Sequence, residues 1–415
     1  MATRKHVFLA LDAAAWGRVA LAVDIARELI GNGDEAVFIV HSSAVPILRP
    51  SRLPYDELGD HLGLLTQLCV ETFVQHEAPQ SIILCDFHSC SRYLKLKGID
   101  PSFITELGIP VIAMDIWNCI KAGPDMDLSG GGTAPRDRWN DKLSGRLVPV
   151  PIGGPESDGA YCSLPPPIAL AESVREHIRQ NLGLADEDHA VLFCTAGWQH
   201  TMMEPHGRRL AQAVPQLLWN YLHQADPKAR LIHVGPAPLT LEGTPERYQW
   251  MPSLSPENFD RLLASVDLLL TANISATTIG RAMMAGLPVL AVENSFRAQN
   301  TVEAEQKLGE CGKALTPPLR QWVENTVPLY PFRLWPLGYW EFLGPLMSGN
   351  PYCSALDTVE LLDEAGFVHR CRSLLLDPQV RQDARSRQAA YVAQVRRLPS
   401  AARLIDGYLR GKGYE

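Results

Sequence analysis

No run of lysine and arginine breaks this chain, and its 415 residues carry a formal net charge of −8. Both facts disfavour a nucleic-acid partner, whose recognition begins with a basic patch. Nor is there an apolar stretch of about 18 residues, so the sequence offers no membrane span. The opening "MATRKHVFLALDAAAWG" lacks the long apolar centre of a secretory signal and enters a strand at once. The nine cysteines are odd in number and show no paired spacing of the kind a zinc site uses. Cys85 and Cys194 fall inside apolar runs, as reduced core thiols do. A cytoplasmic enzyme without a metal or other cofactor is the expectation.

What is present is ordinary for a globular protein: 46% hydrophobic and 20% charged residues. The chain is too long for a single core, so two domains are expected. "HVFLAL" (6–11) is a continuous apolar run, typical of a parallel strand covered on both faces. After "DAAAWG", the segment 18–30 places Val19, Ala22, Val23, Ala26 and Leu29–Ile30 on one helical face. Gly31 and Gly33 stop that helix, and "EAVFIVH" is the next strand. Together these make a right-handed βαβ unit.

Buried strands follow at "SIILCDF" and "PVIAMDI", each ending in an acidic residue, Asp86 and Asp115. Ligands of open α/β sheets sit beyond the carboxyl ends of the strands, so both aspartates are candidates to face one. Strand-end aspartates also cap the next helix or brace a loop, and that is the commoner role. Residues 121–146 are polar, glycine-rich and aperiodic, hence a loop, either plain surface or a lid. A proline-dense stretch near 148–167 reads as the interdomain linker. The same strand and helix grammar then restarts at "AVLFCTAG" and runs through "ARLIHVGP" and "VDLLLTANIS" to "LPVLAV". The fold class is therefore α/β, two Rossmann-like domains with parallel sheets facing across a cleft. The first would span 1–160, the second 161–390, and a terminal segment 391–415 would follow. Pro399 should break the helical run "VAQVRRLPSAARLIDGYLRG".

The patch "NISATT" (273–278) lies between two apolar strands, just where a helix should begin near Thr277. Backbone N–H groups lack partners at such a place, which suits an anion. Serine and threonine there are also ordinary helix caps.

Four segments in order carry a resemblance. They are "CTAGWQHT", "LIHVGP", "VDLLLTANISATTIGRAMMAGLPVLAV" and the polar Gln299–Asn300. They resemble the nucleotide-binding half of GT-B glycosyltransferases. The pattern is most similar to the N-acetylglucosaminyltransferase that completes lipid II and to related nucleotide-sugar enzymes. The likeness covers most of 190–310 and, more faintly, the first 45 residues, and "LLLDPQVRQDARSRQAAY" resembles the closing helices. It implies a nucleoside-diphosphate sugar as donor, its diphosphate held by Ser275, Ala276, Thr277 and Thr278. Gly197 would let the backbone approach the ligand, and Asn300 would contact it. His233 matches a strand-end histidine of the family, yet a satisfied core histidine is an equal reading. The C-terminal helix would pack back on the first domain.

The chain departs from that family at two positions. Arg281 stands where the family has a ribose-binding glutamate, and an arginine offers no acceptor; it would grip a phosphate or an acidic sugar, or sit on the surface. Gly17–Arg18 stands where the family has Gly-His. A guanidinium cannot serve as a general base, because its proton does not leave. That role passes to Asp115 first and Asp12 second, with Arg18 as anchor for an anionic group.

An insert within 315–350 concentrates Trp322, Tyr330, Phe332, Trp335, Tyr339, Trp340 and Phe342. It is either a core-packing subdomain or an exposed platform for an acceptor or a protein partner. The resemblance implies a sugar transferase with an acceptor that is a small molecule, lipid or peptide, in natural-product or cell-envelope biosynthesis. Nucleotide-sugar hydrolysis or epimerisation and non-catalytic binding are the alternatives on the same fold.

Overall fold

A computed structural model describes residues 3–11, 16–59, 63–118, 125–126, 133–134, 138–201, 208–242 and 245–411. The chain divides into two compact units: unit 1 holds residues 1–163 and 394–415, and unit 2 holds 164–393.

Unit 1 is built from strands β1 (Lys5–Ala10), β2 (Glu35–His41), β3 (Tyr55–Leu58), β4 (Ser81–Leu84) and β5 (Val111–Met114). After a two-residue antiparallel ribbon, β6 (Asp125–Met126) with β7 (Thr133–Ala134), come β8 (Gly145–Pro149) and β9 (Ala160–Tyr161). The seven-stranded sheet has the order β3-β2-β1-β4-β5-β8-β9. Every neighbouring pair in it is parallel. The order reverses between β1 and β4, which makes that junction the switch point of a doubly wound sheet.

The reason "HVFLAL" is apolar without alternation is visible in how its side chains divide. Phe8 and Ala10 join one core with the helix Trp16–Gly31, while Val7 and Leu9 join a second core on the opposite face. Helices cover both faces, so a period of two would leave polar groups in one core or the other. Trp139, within the segment expected to be aperiodic, belongs to the second core.

The chain returns to unit 1 at its end. The helix Pro378–Val395 stops before Pro399, and a new helix, Ala401–Leu409, starts with Ser400 accepting the Arg403 N–H. Ala401, Ala402, Leu404 and Ile405 enter the Phe8 core beside the first helix. Burying Leu404 and Ile405 stabilises this docking by roughly 1.5–3 kcal/mol each. Tyr408 passes so close to β8 that a Cβ on Gly145 would lie 2.3 Å from its ring, and its hydroxyl donates to the Arg146 carbonyl at 2.7 Å. Only glycine fits at 145.

Unit 2 holds β10 (His189–Cys194), β11 (Ala229–Val234), β12 (Tyr248–Met251), β13 (Leu268–Thr271), β14 (Val289–Glu293) and β15 (Asp357–Glu360). These make a six-stranded sheet in the order β12-β11-β10-β13-β14-β15. It too is parallel throughout. Its order reverses between β10 and β13.

Part of the aromatic insert belongs to this unit's core, as its core-packing reading expects, while Trp322, Tyr330, Trp340 and Phe342 are only partly buried. Phe332 and Trp335 are fully buried, and Tyr339 nearly so. They lie on a segment that bridges back to Asn273 and Asn294. The Trp335 indole donates to the Ala211 carbonyl at 3.1 Å, and its own carbonyl accepts from the Gln199 amide at 2.9 Å. A large aromatic whose N–H has a backbone partner is a core residue, not a docking face. Among the described residues no helix is long and apolar enough to cross a membrane.

Candidate functional site

In unit 1 the carboxyl ends of β1, β4 and β5 gather several of the singled-out residues. Gly17 and Arg18 are the second and third residues of the first helix. The Arg18 guanidinium meets the Asp86 carboxylate and the Ser89 hydroxyl at the switch point between β1 and β4. Leu9, Leu11, Arg18, Val19, Asp86 and Ser89 line a small pocket there. Asp86 also caps the helix Phe87–Leu96, accepting from the His88 N–H at 3.1 Å and the Ser89 hydroxyl at 2.6 Å. It is thus both a helix cap and the counter-ion of Arg18. The sequence marked Asp86 as a strand-end acid but gave no sign that it would be the carboxylate facing Arg18. Asp115, at the end of β5, is 2% exposed and its backbone N–H bonds to the Leu147 carbonyl at 2.8 Å. Asp12 lies outside the described residues.

In unit 2 the patch 273–278 has a definite geometry. The Asn273 amide oxygen accepts both the backbone N–H and the hydroxyl of Ser275, at 2.9 and 2.7 Å. Ser275 is therefore turned back on the loop and does not cap the helix. The helix Thr277–Met284 starts from Ala276, whose backbone is extended and whose side chain makes no cap. Small residues and uncapped first-turn N–H groups stand together at the carboxyl end of β13, as an anion would require.

Arg281 lies in the last turn of that helix, and both oxygens of Asp260 accept from its Nη1, at 2.9 and 3.0 Å. That bond ties it to the neighbouring helix Pro256–Leu263. Asn300 is the N-cap of the helix Thr301–Glu310, its side chain accepting the Glu303 N–H at 3.0 Å. Glu303 in turn accepts the Gln299 N–H at 2.8 Å, a reciprocal capping arrangement.

Gly197 opens a short helical turn after β10, and a Cβ placed there would have nothing within 4 Å. His233 is fully buried on β11. Its Nε2 lies 2.8 Å from the Thr195 hydroxyl and its Nδ1 3.0 Å from the Tyr248 hydroxyl. Burial, with a smaller push from His200, lowers it to about 4, so the ring is neutral at physiological pH. Both its nitrogens are used inside the protein. A Cβ on Gly235 would sit 2.2 Å from the Thr195 Oγ1, so glycine there keeps the loops packed together.

A further group was not singled out from the sequence. Glu293 and Glu360 are register partners at the ends of β14 and β15. Arg333 pairs with Glu293 at 3.3 Å and lies 4.4 Å over the Trp340 ring. Both carboxylate oxygens of Glu360 accept the Ser295 N–H, at 3.0 Å each. Burial pushes the Glu360 carboxyl up to about 7, and the charge of Glu293 adds to the rise. Burial also raises Glu293, opposed by Arg333.

The profile of the family of unknown function DUF6365 matches residues 25–413. No curated protein matches the chain. Solved structures do resemble it in fold. HepE (Alr3699) of Anabaena in complex with UDP-glucose is 14% identical, with a TM-score of 0.57, over 98% of this chain and 99% of that one. The spinosyn forosaminyltransferase SpnP is also 14% identical, with a TM-score of 0.56 over the whole of both chains. The glycosyltransferase SnogD of Streptomyces nogalater is 12% identical, with a TM-score of 0.50, over 99% of this chain and all of the other. These neighbours are GT-B glycosyltransferases, and this chain has their fold.

Proposed function

We propose that this protein, which belongs to the family of unknown function DUF6365, is a glycosyltransferase that takes its sugar from a nucleoside-diphosphate sugar. The observation that carries the reading is the uncapped start of the helix Thr277–Met284 at the carboxyl end of β13. Backbone N–H groups without side-chain partners, flanked by small residues, suit two phosphates better than any neutral ligand. The fold shared with a UDP-glucose complex agrees with it. Gly197 leaves the adjoining loop open to close approach.

The donor is assigned to unit 2 and the acceptor to unit 1. The acceptor, a small molecule, lipid or peptide, is bound at the β1–β4 switch point, where Arg18 is held rigid by Asp86. A fixed guanidinium is a positioning cation and not a base. The proton of the acceptor hydroxyl is assigned to Asp115, with Asp12 second. The likeness to the lipid-II-forming enzyme rests on the ordered segments of unit 2 and leaves donor sugar and acceptor open.

The test is direct. The full chain is incubated with a panel of nucleotide sugars, with and without candidate acceptors, and free nucleotide is followed by mass spectrometry. Calorimetry with UDP is run beside it. Release only with acceptor supports transfer; release without acceptor means hydrolysis; no nucleotide binding at all defeats the reading. Replacing Thr277 and Thr278 by leucine should weaken UDP binding at an unchanged melting temperature.

A further inference from the structure

The strands β10 and β13 are adjacent in the sheet, with Phe193 in register with Leu270. The turn Gly197–Thr201 and the patch 273–278 therefore leave from the same edge, a few residues past paired positions. A polar chain runs into this edge from the interior. The Tyr248 hydroxyl accepts the Leu239 N–H at 2.7 Å and lies 3.0 Å from Nδ1 of His233. Nε2 of His233 lies 2.8 Å from the Thr195 hydroxyl, which is 2.9 Å from Nε2 of His200.

Proton counting gives this chain a direction. The phenol has one proton, and among the described residues its acceptor is His233 Nδ1. A neutral His233 that accepts at Nδ1 carries its own proton on Nε2 and donates it to Thr195. The threonine hydroxyl, already accepting, donates its single proton to His200 Nε2. His200 then holds its proton on Nδ1. Reversing every bond would make the phenol oxygen, which already accepts the Leu239 N–H, accept a second bond from His233 and turn its own proton to solvent, the poorer use of a phenol donor. His233 is fully buried and His200 half-buried, and burial lowers both, so neutral rings are the resident forms.

We propose that Tyr248, His233 and Thr195 lock His200 as its Nδ1–H tautomer, and that this N–H is a hydrogen-bond donor to the phosphate oxygens of a nucleoside diphosphate at the edge of the unit 2 sheet. The ligand half of this proposal rests on the function proposed above; the tautomer half does not. His200 is the binding residue, and the other three are positioning residues. A free imidazole in water exchanges its proton between both nitrogens, so a locked tautomer offers a donor already aimed, with less ordering to be done on binding.

The experiment uses the full chain labelled with nitrogen-15 histidine. Long-range proton–nitrogen spectra should show His200 protonated at Nδ1 and bare at Nε2. Thr195→Val and Tyr248→Phe should each mix its tautomers, whereas Thr195→Ser, which keeps the hydroxyl, should not. UDP should shift the His200 Nδ1 signal. His200→Phe should weaken UDP binding about tenfold, the effect of one hydrogen bond to a charged group. His200→Asn, which keeps an N–H near the Nδ1 position, should retain most of the affinity. A His200 protonated at Nε2 overturns the relay. Unchanged UDP affinity in His200→Phe overturns the ligand role. A wild-type protein that binds no UDP defeats the functional reading and the ligand role together, while the spectra still decide the relay.

Discussion

Replacing Glu360 by glutamine should make the protein more stable at neutral and alkaline pH and leave it unchanged in acid. The Glu360 carboxyl is raised from an ordinary value of 4.5 to about 7 by burial, with Glu293 opposite it in register. Between those two values the folded chain holds a proton that the unfolded chain has released. Stability therefore falls as pH rises through that window, and the loss is complete above about pH 7. A shift of this size corresponds to at most about 3 kcal/mol, less what residual solvent contact screens. Glutamine is neutral at every pH and its carbonyl can still accept the Ser295 N–H that both carboxylate oxygens share. Urea melts from pH 4 to 8.5, followed by tryptophan fluorescence, give the stability of each protein by linear extrapolation. Six of the nine tryptophans lie in unit 2, which makes that unit the main reporter. The two proteins should agree near pH 4 and diverge upward to pH 7.5, the variant being the more stable. Parallel curves across the range would refute the argument, because they would mean that Glu360 titrates as an exposed carboxylate.

Trp335→Ala should cost about 3–5 kcal/mol, since it empties a fully buried aromatic site and orphans the Ala211 carbonyl; unchanged denaturation would return the aromatic insert to the surface reading. Gly145→Ala should destabilise by about 1–3 kcal/mol through the clash with Tyr408, and Tyr408→Ala in the same chain should remove most of that increment in a double-mutant cycle. Arg281→Met should leave UDP affinity within twofold, because its Nη1 is engaged by Asp260; a large loss of affinity at unchanged stability would make the arginine a phosphate ligand after all. Asp115→Asn should lower kcat and flatten the acid limb of its pH profile, and a normal rate at every pH would pass the role to Asp12.

Much of the fold was legible because its causes are local. Continuous apolar runs such as "HVFLAL" identify parallel strands covered on both faces, and the two cores that share β1 are the reason. The break at Pro399 and the helix start at Thr277 follow from the missing N–H of one residue and the small polar run before the other. What the sequence could not carry is the pairing of residues brought together by the order of strands. Arg18 meets Asp86 because β1 and β4 are neighbours at a switch point, a fact of crossover topology. Glu293 opposes Glu360 because β14 and β15 pair in one register; a slip by one residue would separate the charges and turn one of them to the other face. The aromatic insert is rich in surface-competent residues, yet its fate was decided by whether the core of unit 2 had room for Trp335 and a carbonyl to receive its N–H. Nothing in the sequence around His233 separates a core histidine from a ligand contact, and that its two ring nitrogens meet the Thr195 and Tyr248 hydroxyls is a fact of tertiary packing. Periodicity determines which face of an element is apolar; which polar groups then meet is settled by long-range packing, where the cost of an unpaired buried group selects one arrangement.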